Sequence, residues 1–261
     1  MALLEIKQVS RNFKGLTALS KIDIDVQEGE ILGIIGPNGA GKTTLFNIIS
    51  GFLSPTHGEI RFRGKNIVGL RPDMIARKGL VRSFQGVGLF PMATCLGNLI
   101  LAHHLYQEIG FWKTMAHTGS YGAREKEVKA KSLAILKTLN LDDKKDMAAK
   151  DIPYGYQKML GIAMALATDA QVLLLDEPVA GMNPPEALAM TQEIKRIRAE
   201  LKKTIVLVEH NMKMVMGVCD RIVVIQYGLK IAEGPPELIR NDPQVIKAYL
   251  GTAEAYHDTS N

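Results

Sequence analysis

Apolar and polar residues alternate along the first stretch of the chain. Leu4 and Ile6, and then Leu19, Ile22, Ile24 and Val26, mark half-buried strands across residues 3–28. This period-two pattern predicts strands with one face in a core, here expected to pair antiparallel. Residues 59–63 (Glu-Ile-Arg-Phe-Arg), followed by Gly64-Lys-Asn, continue it. Elsewhere the apolar runs are short and unbroken. Glu30 to Ile35 reads as a short strand, and Val172–Leu175, Ile205–Val208 and Ile222–Ile225 are uniformly apolar. Such runs suit the centre of a parallel sheet covered on both faces.

Between about Thr94 and Asn140 the character changes to helix formers. Thr118 to Gly122 reads as a loop, and Ala123–Leu141 places Val128, Leu133, Leu136 and Leu139 at helical spacing. No linker-like composition bounds this stretch, which favours a helical insertion over an independent domain. The order of elements predicts an α/β fold with a mostly parallel central sheet, an N-terminal antiparallel β subdomain and an inserted helical subdomain.

With 261 residues, 46% of them hydrophobic, the chain can bury a substantial core. Its longest apolar stretches, such as Met159 to Ala167, fall short of the roughly 20 residues that cross a membrane. The N-terminus, Met-Ala-Leu-Leu-Glu-Ile-Lys, has no basic segment before its apolar residues and does not read as a signal peptide, so a cytoplasmic location is expected. Cys95 and Cys219 have no Cys or His companions at metal spacing, which argues against zinc. The net charge is +5, but basic and acidic residues are interleaved, as on an ordinary solvated surface and unlike a nucleic-acid face.

The strongest chemical signal is Gly36-Pro37-Asn38-Gly39-Ala40-Gly41-Lys42-Thr43, between the strand ending at Ile35 and a helix pattern from Thr44 to Ser50. This is a phosphate-binding loop in the setting it requires. Its glycines let the backbone curl so that N–H groups point at phosphate oxygens, and the helix start adds its positive dipole end. Lys42 supplies a cation for the β- and γ-phosphates, and the Thr43 hydroxyl can ligate Mg²⁺. Asp176 and Glu177 follow the run Val172–Leu175 directly, at the end of a strand where open α/β sheets bind ligands. Asp176 can hold Mg²⁺ through its water shell, and Glu177 can polarise an attacking water. His210 ends the next strand, where it can either touch the γ-phosphate or play a structural part. Gln85, at the edge of the helical insertion, is placed to bind Mg²⁺ and the attacking water.

The order Gly36–Thr43, Gln85, Asp176-Glu177, His210 resembles the ATP-binding cassette (ABC) ATPases across essentially the whole chain. The resemblance implies one domain over residues 1–261. Residues 1–90 and 158–240 would form the nucleotide-binding core, 91–157 the helical subdomain and 241–261 a C-terminal segment. It further implies ATP and Mg²⁺ as ligands, with Phe13 as the aromatic that stacks on adenine, unless Phe13 is simply packed in the core. Glu177, His210 and Gln85 would carry the chemistry, with Thr43, Gln85 and Asp176 on the metal. The stretch Pro153-Tyr154-Gly155-Tyr156-Gln157, followed by a helix from Lys158 to Ala167, corresponds to the signature that caps the ATP of an opposite subunit. The stretches Leu45 to Phe52, Arg82 to Gln85, Pro178 to Pro184 and Val208 to Lys213, with the C-terminal Glu233 to Gly251, are similar to ATPase subunits of branched-chain amino-acid importers. That implies a second ATPase subunit, two transmembrane permeases, a substrate-binding protein acting through them, and a peripheral position on the cytoplasmic face of the membrane. Urea or lipid transporters of the same family remain alternatives. A soluble cassette acting on nucleic acid is disfavoured because there is only one phosphate loop.

The chain departs from the family pattern at the signature. Pro153 stands where Ser is usual, which removes a hydroxyl and a backbone N–H, and Tyr154 and Tyr156 replace a Gly and a Gln. This departure raises the expectation of an asymmetric pair with a different ATPase, against the alternative that both sites turn over.

Overall fold

Ten strands and eight named helices arise from these patterns in a computed structural model that describes residues 2–83, 88–106 and 118–249. Gln85 lies outside the described residues. Strands β1 (Leu4–Phe13) and β2 (Leu16–Val26) form an antiparallel hairpin with Leu4 opposite Val26 and Ile6 opposite Ile24. Lys14 and Gly15 join them, both at positive φ (39° and 96°), as a two-residue hairpin turn requires. β4 (His57–Phe62) pairs antiparallel with the other edge of β1, and β5 (Lys65–Asn66) follows it, giving the order β2-β1-β4-β5.

The second sheet contains β3 (Ile31–Ile35), β6 (Leu80–Ser83), β7 (Val172–Asp176), β8 (Thr204–Val208), β9 (Arg221–Gln226) and β10 (Leu229–Gly234), in the order β10-β9-β3-β8-β7-β6. All neighbours are parallel except β10, which turns back along β9. β3, β7 and β8 are buried at every position, which explains their unbroken apolar runs. Because successive side chains point to opposite faces, each strand feeds two cores. Ile31, Leu173, Leu175, Ile205 and Leu207 pack in a cluster with the helices, including Leu99, Leu136 and Leu160. Leu32, Ile34, Leu174, Val206 and Val223 pack with Ile6, Ile22 and Phe62 of the antiparallel sheet and with Leu45 and Phe46 of α1 (Lys42–Ile49).

The remaining helices are α2 (Pro72–Arg77), α3 (Cys95–Tyr106), α4 (Thr118–Thr138), α5 (Tyr154–Ala167), α6 (Pro184–Leu201), α7 (Met212–Val218) and α8 (Pro236–Asn241). Several boundaries shift from expectation by one to three residues, as at α1 and at the end of α4, and two shift by more. Residues 118–122 form the first turn of α4 and no loop. Once a helix is nucleated, each added residue gains a hydrogen bond, which outweighs a penalty of at most about 1 kcal/mol for Thr, Ser or Gly. Helix α5 starts at Tyr154, not at Lys158, with Pro153 at the N-cap (φ −54°, ψ 151°). The Gln157 amide already donates to the Pro153 carbonyl at 3.0 Å, so the Tyr-Gly-Tyr segment is helical. Both cysteines are buried free thiols, and burial pushes Cys219 up to about 12. Among the described residues no helix is long and apolar enough to cross a membrane.

Candidate nucleotide site

The loop from Gly36 to Thr43 links the C-terminal end of β3 to α1, and backbone contacts impose two of its three glycines. Gly36 has φ +153°, and a Cβ there would come within 1.9 Å of the Ile225 carbonyl oxygen. Gly41, the α1 N-cap, is left-handed at φ +107°, and its Cβ would meet the Ala18 carbonyl at 2.7 Å. The Gly228 amide donates to Ala40 O at 3.0 Å, seating the loop on the β9–β10 turn. No side chain caps α1 and its first turn holds no acid, so its amides are oriented for an anion.

Lys42 is buried, and its ammonium donates to the carbonyls of Gly36 (2.7 Å) and Pro37 (2.9 Å). Burial lowers its pKa below the ordinary lysine value, and the Glu177 and Asp176 carboxylates partly offset that. The ammonium thus spans the loop where phosphate oxygens would otherwise compete for it.

Asp176 ends β7 and is buried, with Oδ2 2.5 Å from Nη2 of Arg82 on β6. Nη1 of the same arginine reaches Asn47 Oδ1 (2.7 Å) and Ser50 Oγ (3.3 Å) on α1. One guanidinium therefore joins the phosphate-loop helix, the metal-candidate carboxylate and the strand that leads to Gln85. The next residue, Glu177, is left-handed (φ +48°), an uncommon state for a residue with a long side chain. Its amide donates to Val208 O (2.9 Å), its carbonyl accepts from Lys158 Nζ (2.7 Å), and its Oε1 lies 3.2 Å from His210 Nε2. Glu209, also buried, accepts from the Val179, His210 and Asn211 amides at 2.9, 2.9 and 3.2 Å, which fixes the turn that presents His210.

A cleft of about 540 Å³ brings together Phe13, residues 38–44, Glu177 and His210, with Tyr227 at its rim. Phe13 is 39% exposed, which rules out simple core packing, and the Arg11 guanidinium lies 4.6 Å from its ring centroid. Thr43 lines the cleft and is exposed, while Asp176, the residue before Glu177, is buried and does not line it. Among the described residues no group of three His, Cys, Asp or Glu could hold a metal unaided. Hard oxygen donors from Thr43 and Asp176 fit Mg²⁺ in the form that needs only one or two protein ligands beside substrate phosphates.

Pro153 to Gln157 do not line this cleft. They form the tip of α5, where the Tyr154 and Tyr156 side chains are 48% and 41% exposed. Lys144 Nζ sits 4.3 Å from the Tyr156 ring, and Gln157 Nε2 donates to Ile152 O at 3.0 Å. Sequence reasoning missed Arg82, Lys158, Glu209 and Tyr227. None of them lies in a local pattern tied to phosphate chemistry, although the buried charge at Lys158, inside an apolar helical run, was a signal.

The profile of the ABC transporter family matches residues 19–180, and a second, described as branched-chain amino acid ATP-binding cassette transporter, matches residues 230–255. The high-affinity branched-chain amino acid transport ATP-binding protein BraF of Pseudomonas aeruginosa is 42% identical over 96% of this chain and 98% of its own length. LivG of Escherichia coli, of the same description, is 40% identical over the same shares. Among solved structures, the ADP conformation of an ATP-binding cassette of an ABC transporter superposes with a TM-score of 0.84 at 30% identity, over 96% of this chain and 99% of the other.

Proposed function

The chain belongs to the ATP-binding cassette transporter ATPases, and from that premise we propose that it is the ATP-hydrolysing subunit that energises an importer of branched-chain amino acids. The observation that carries the chemistry is the single cleft in which the phosphate loop faces the Glu177–His210 pair. The relatives' function supplies the cargo, since no residue of the ATPase site has any chemistry directed at an amino acid.

In this reading, ATP seats its phosphates on the amides of residues 38–44 and draws the Lys42 ammonium from the Gly36 and Pro37 carbonyls. Adenine stacks on the face of Phe13 away from Arg11. Thr43 and Asp176, with Gln85, would hold Mg²⁺, which neutralises phosphate charge when bound. Glu177 takes the proton of the attacking water and His210 holds the Glu177 carboxylate and the γ-phosphate in register. The contacts with the γ-phosphate exist only before hydrolysis, so they bias two states of a subunit pair. Residues 91–157 act as the helical subdomain that meets the permeases on the cytoplasmic face. The exposed α5 tip, Pro153 to Gln157, closes the nucleotide of a second and different ATPase subunit.

The test is reconstitution with the membrane partners that co-purify with Glu177→Gln protein in MgATP. ATP-driven uptake of leucine, isoleucine or valine is expected. Uptake of urea or extraction of lipid instead would replace the cargo, and two copies of this chain with no second ATPase would refute the asymmetric pair.

A further inference from the structure

Tyr154 and Lys158 stand one helical turn apart on α5, so their side chains lie on one face. The Lys158 ammonium is 5.5 Å from the Tyr154 ring centroid and donates a 2.7 Å hydrogen bond to the Glu177 carbonyl. Lys158 is only 8% exposed. Burial lowers its pKa, and the carboxylates of Glu209, Glu177 and Asp176 offset that in part. The Tyr154 ring also lies against the turn after Glu177, since a Cβ on Gly181 would stand 3.3 Å from Tyr154 Cε1.

We propose that Tyr154 and Lys158 are positioning residues that tie the exposed tip of α5 to the backbone of Glu177. The inference rests on the reading of Glu177 as the base. A left-handed glutamate persists only where its surroundings over-determine it. Here the Val208 carbonyl holds its amide and Lys158 holds its carbonyl. Glu209 secures the next segment through the Val179 amide. Removing the ammonium frees one end of this arrangement and lets the carboxylate drift from its 3.2 Å approach to His210. The Tyr154 ring, half in solvent, is the outer end of the same chain of contacts. A surface pressed onto the α5 tip acts on the ring, through it on the ammonium, and so on the geometry of Glu177. Neither residue lines this chain's own nucleotide cleft, so the coupling acts on turnover at that site and not on its ATP binding.

The test uses the full chain assembled with its transporter partners, with ATP affinity followed by a fluorescent ATP analogue and turnover by phosphate release. Lys158→Met is expected to lower kcat about 10–100-fold, the scale of a misplacement of about 1 Å, with unchanged ATP affinity and KM. Lys158→Arg should recover part of kcat, because a cation can again reach the carbonyl. Tyr154→Ala should lower kcat less, and the double variant should fall no further than Lys158→Met alone, the mark of residues acting in series. Wild-type kcat in Lys158→Met, a parallel loss of ATP affinity, or additive effects of the two substitutions would overturn the relay. A wild-type complex without ATPase activity would overturn the function itself, a distinct failure seen before any variant is made.

Discussion

Nη2 of Arg82 lies 2.5 Å from Oδ2 of Asp176, and both side chains are below 10% exposure, at 9% and 3%. The pair binds β6 to β7 next to the nucleotide cleft. Removing one partner of a buried pair leaves an uncompensated charge. Arg82→Leu is therefore expected to cost about 3–5 kcal/mol of stability. Urea denaturation would measure it, with a loss below about 1 kcal/mol placing the pair with weak surface bridges. Arg82→Met combined with Asp176→Leu should regain much of the stability while removing the carboxylate of the proposed metal site.

Glu177→Gln removes the proposed base but keeps the side-chain length. Nucleotide binding should persist while turnover falls about 10²–10⁴-fold, the usual contribution of a positioned base. His210→Ala should lower turnover with Glu177 intact, because the carboxylate loses its 3.2 Å neighbour. Filter binding and phosphate release separate the two effects. Normal turnover in Glu177→Gln would remove this residue from the chemistry.

Lys42→Ala should weaken ATP binding about 10–100-fold, the equivalent of one hydrogen bond to a charged group at about 1.5–3 kcal/mol. The pH dependence has a definite sign. Burial lowers the Lys42 pKa from 10.5, and ATP prefers the ammonium. ATP affinity should therefore fall as pH rises, starting below the range where an exposed lysine would deprotonate, with the bound phosphates raising the pKa again in the complex. Affinity titrations across alkaline pH on wild type and Lys42→Ala would reveal it, since the variant should lack this component.

Pro153 already has the extended backbone of an N-cap, yet no side chain caps α5. Pro153→Ser should therefore stabilise the chain by about 0.5–2 kcal/mol and add a hydroxyl to the α5 tip. Thermal melting reads the first effect. ATPase activity of the assembled complex reads the second, and a rise is expected if this tip closes a weakened site on a partner subunit.

Asn183 offers a control for such reasoning. Its side chain accepts from the Glu186 amide (2.9 Å), and Glu186 Oε2 accepts from the Asn183 amide (3.1 Å). Asn183→Ala should cost about 0.5–2 kcal/mol in chemical denaturation, and no change would mean that α6 holds its start by packing alone.

What could be read from sequence divides by range. The phosphate loop was legible because its eight residues are contiguous and their strand and helix flanks are local. The two-sided burial of β7 and β8 showed in their unbroken apolar runs. Arg82 and Asp176 are 94 residues apart, and no local pattern pairs them. Glu209 looked like an ordinary charged residue after a strand. Only the converging amides of Val179, His210 and Asn211 mark it as a buried acceptor. The start of α5 was misplaced because Pro-Tyr-Gly-Tyr has weak helix propensity, whereas the tertiary packing of Met159, Leu160, Ile162 and Ala163 fixes the helix and draws its first turn in.

The strand that carries the phosphate loop is among the first to be made and among the last to be completed. β3 lies between β8 and β9, with Ile31 beside Ile205 and Leu32 beside Arg221. The loop itself rests on Ile225 and Gly228. Synthesis proceeds from the N-terminus, and contacts this distant in sequence form slowly. A ribosome that has released the loop still has most of the chain to add before the loop has a floor. The phosphate loop therefore gains its floor only when the last strands have emerged, so the order of synthesis and the order of completion run opposite at this site.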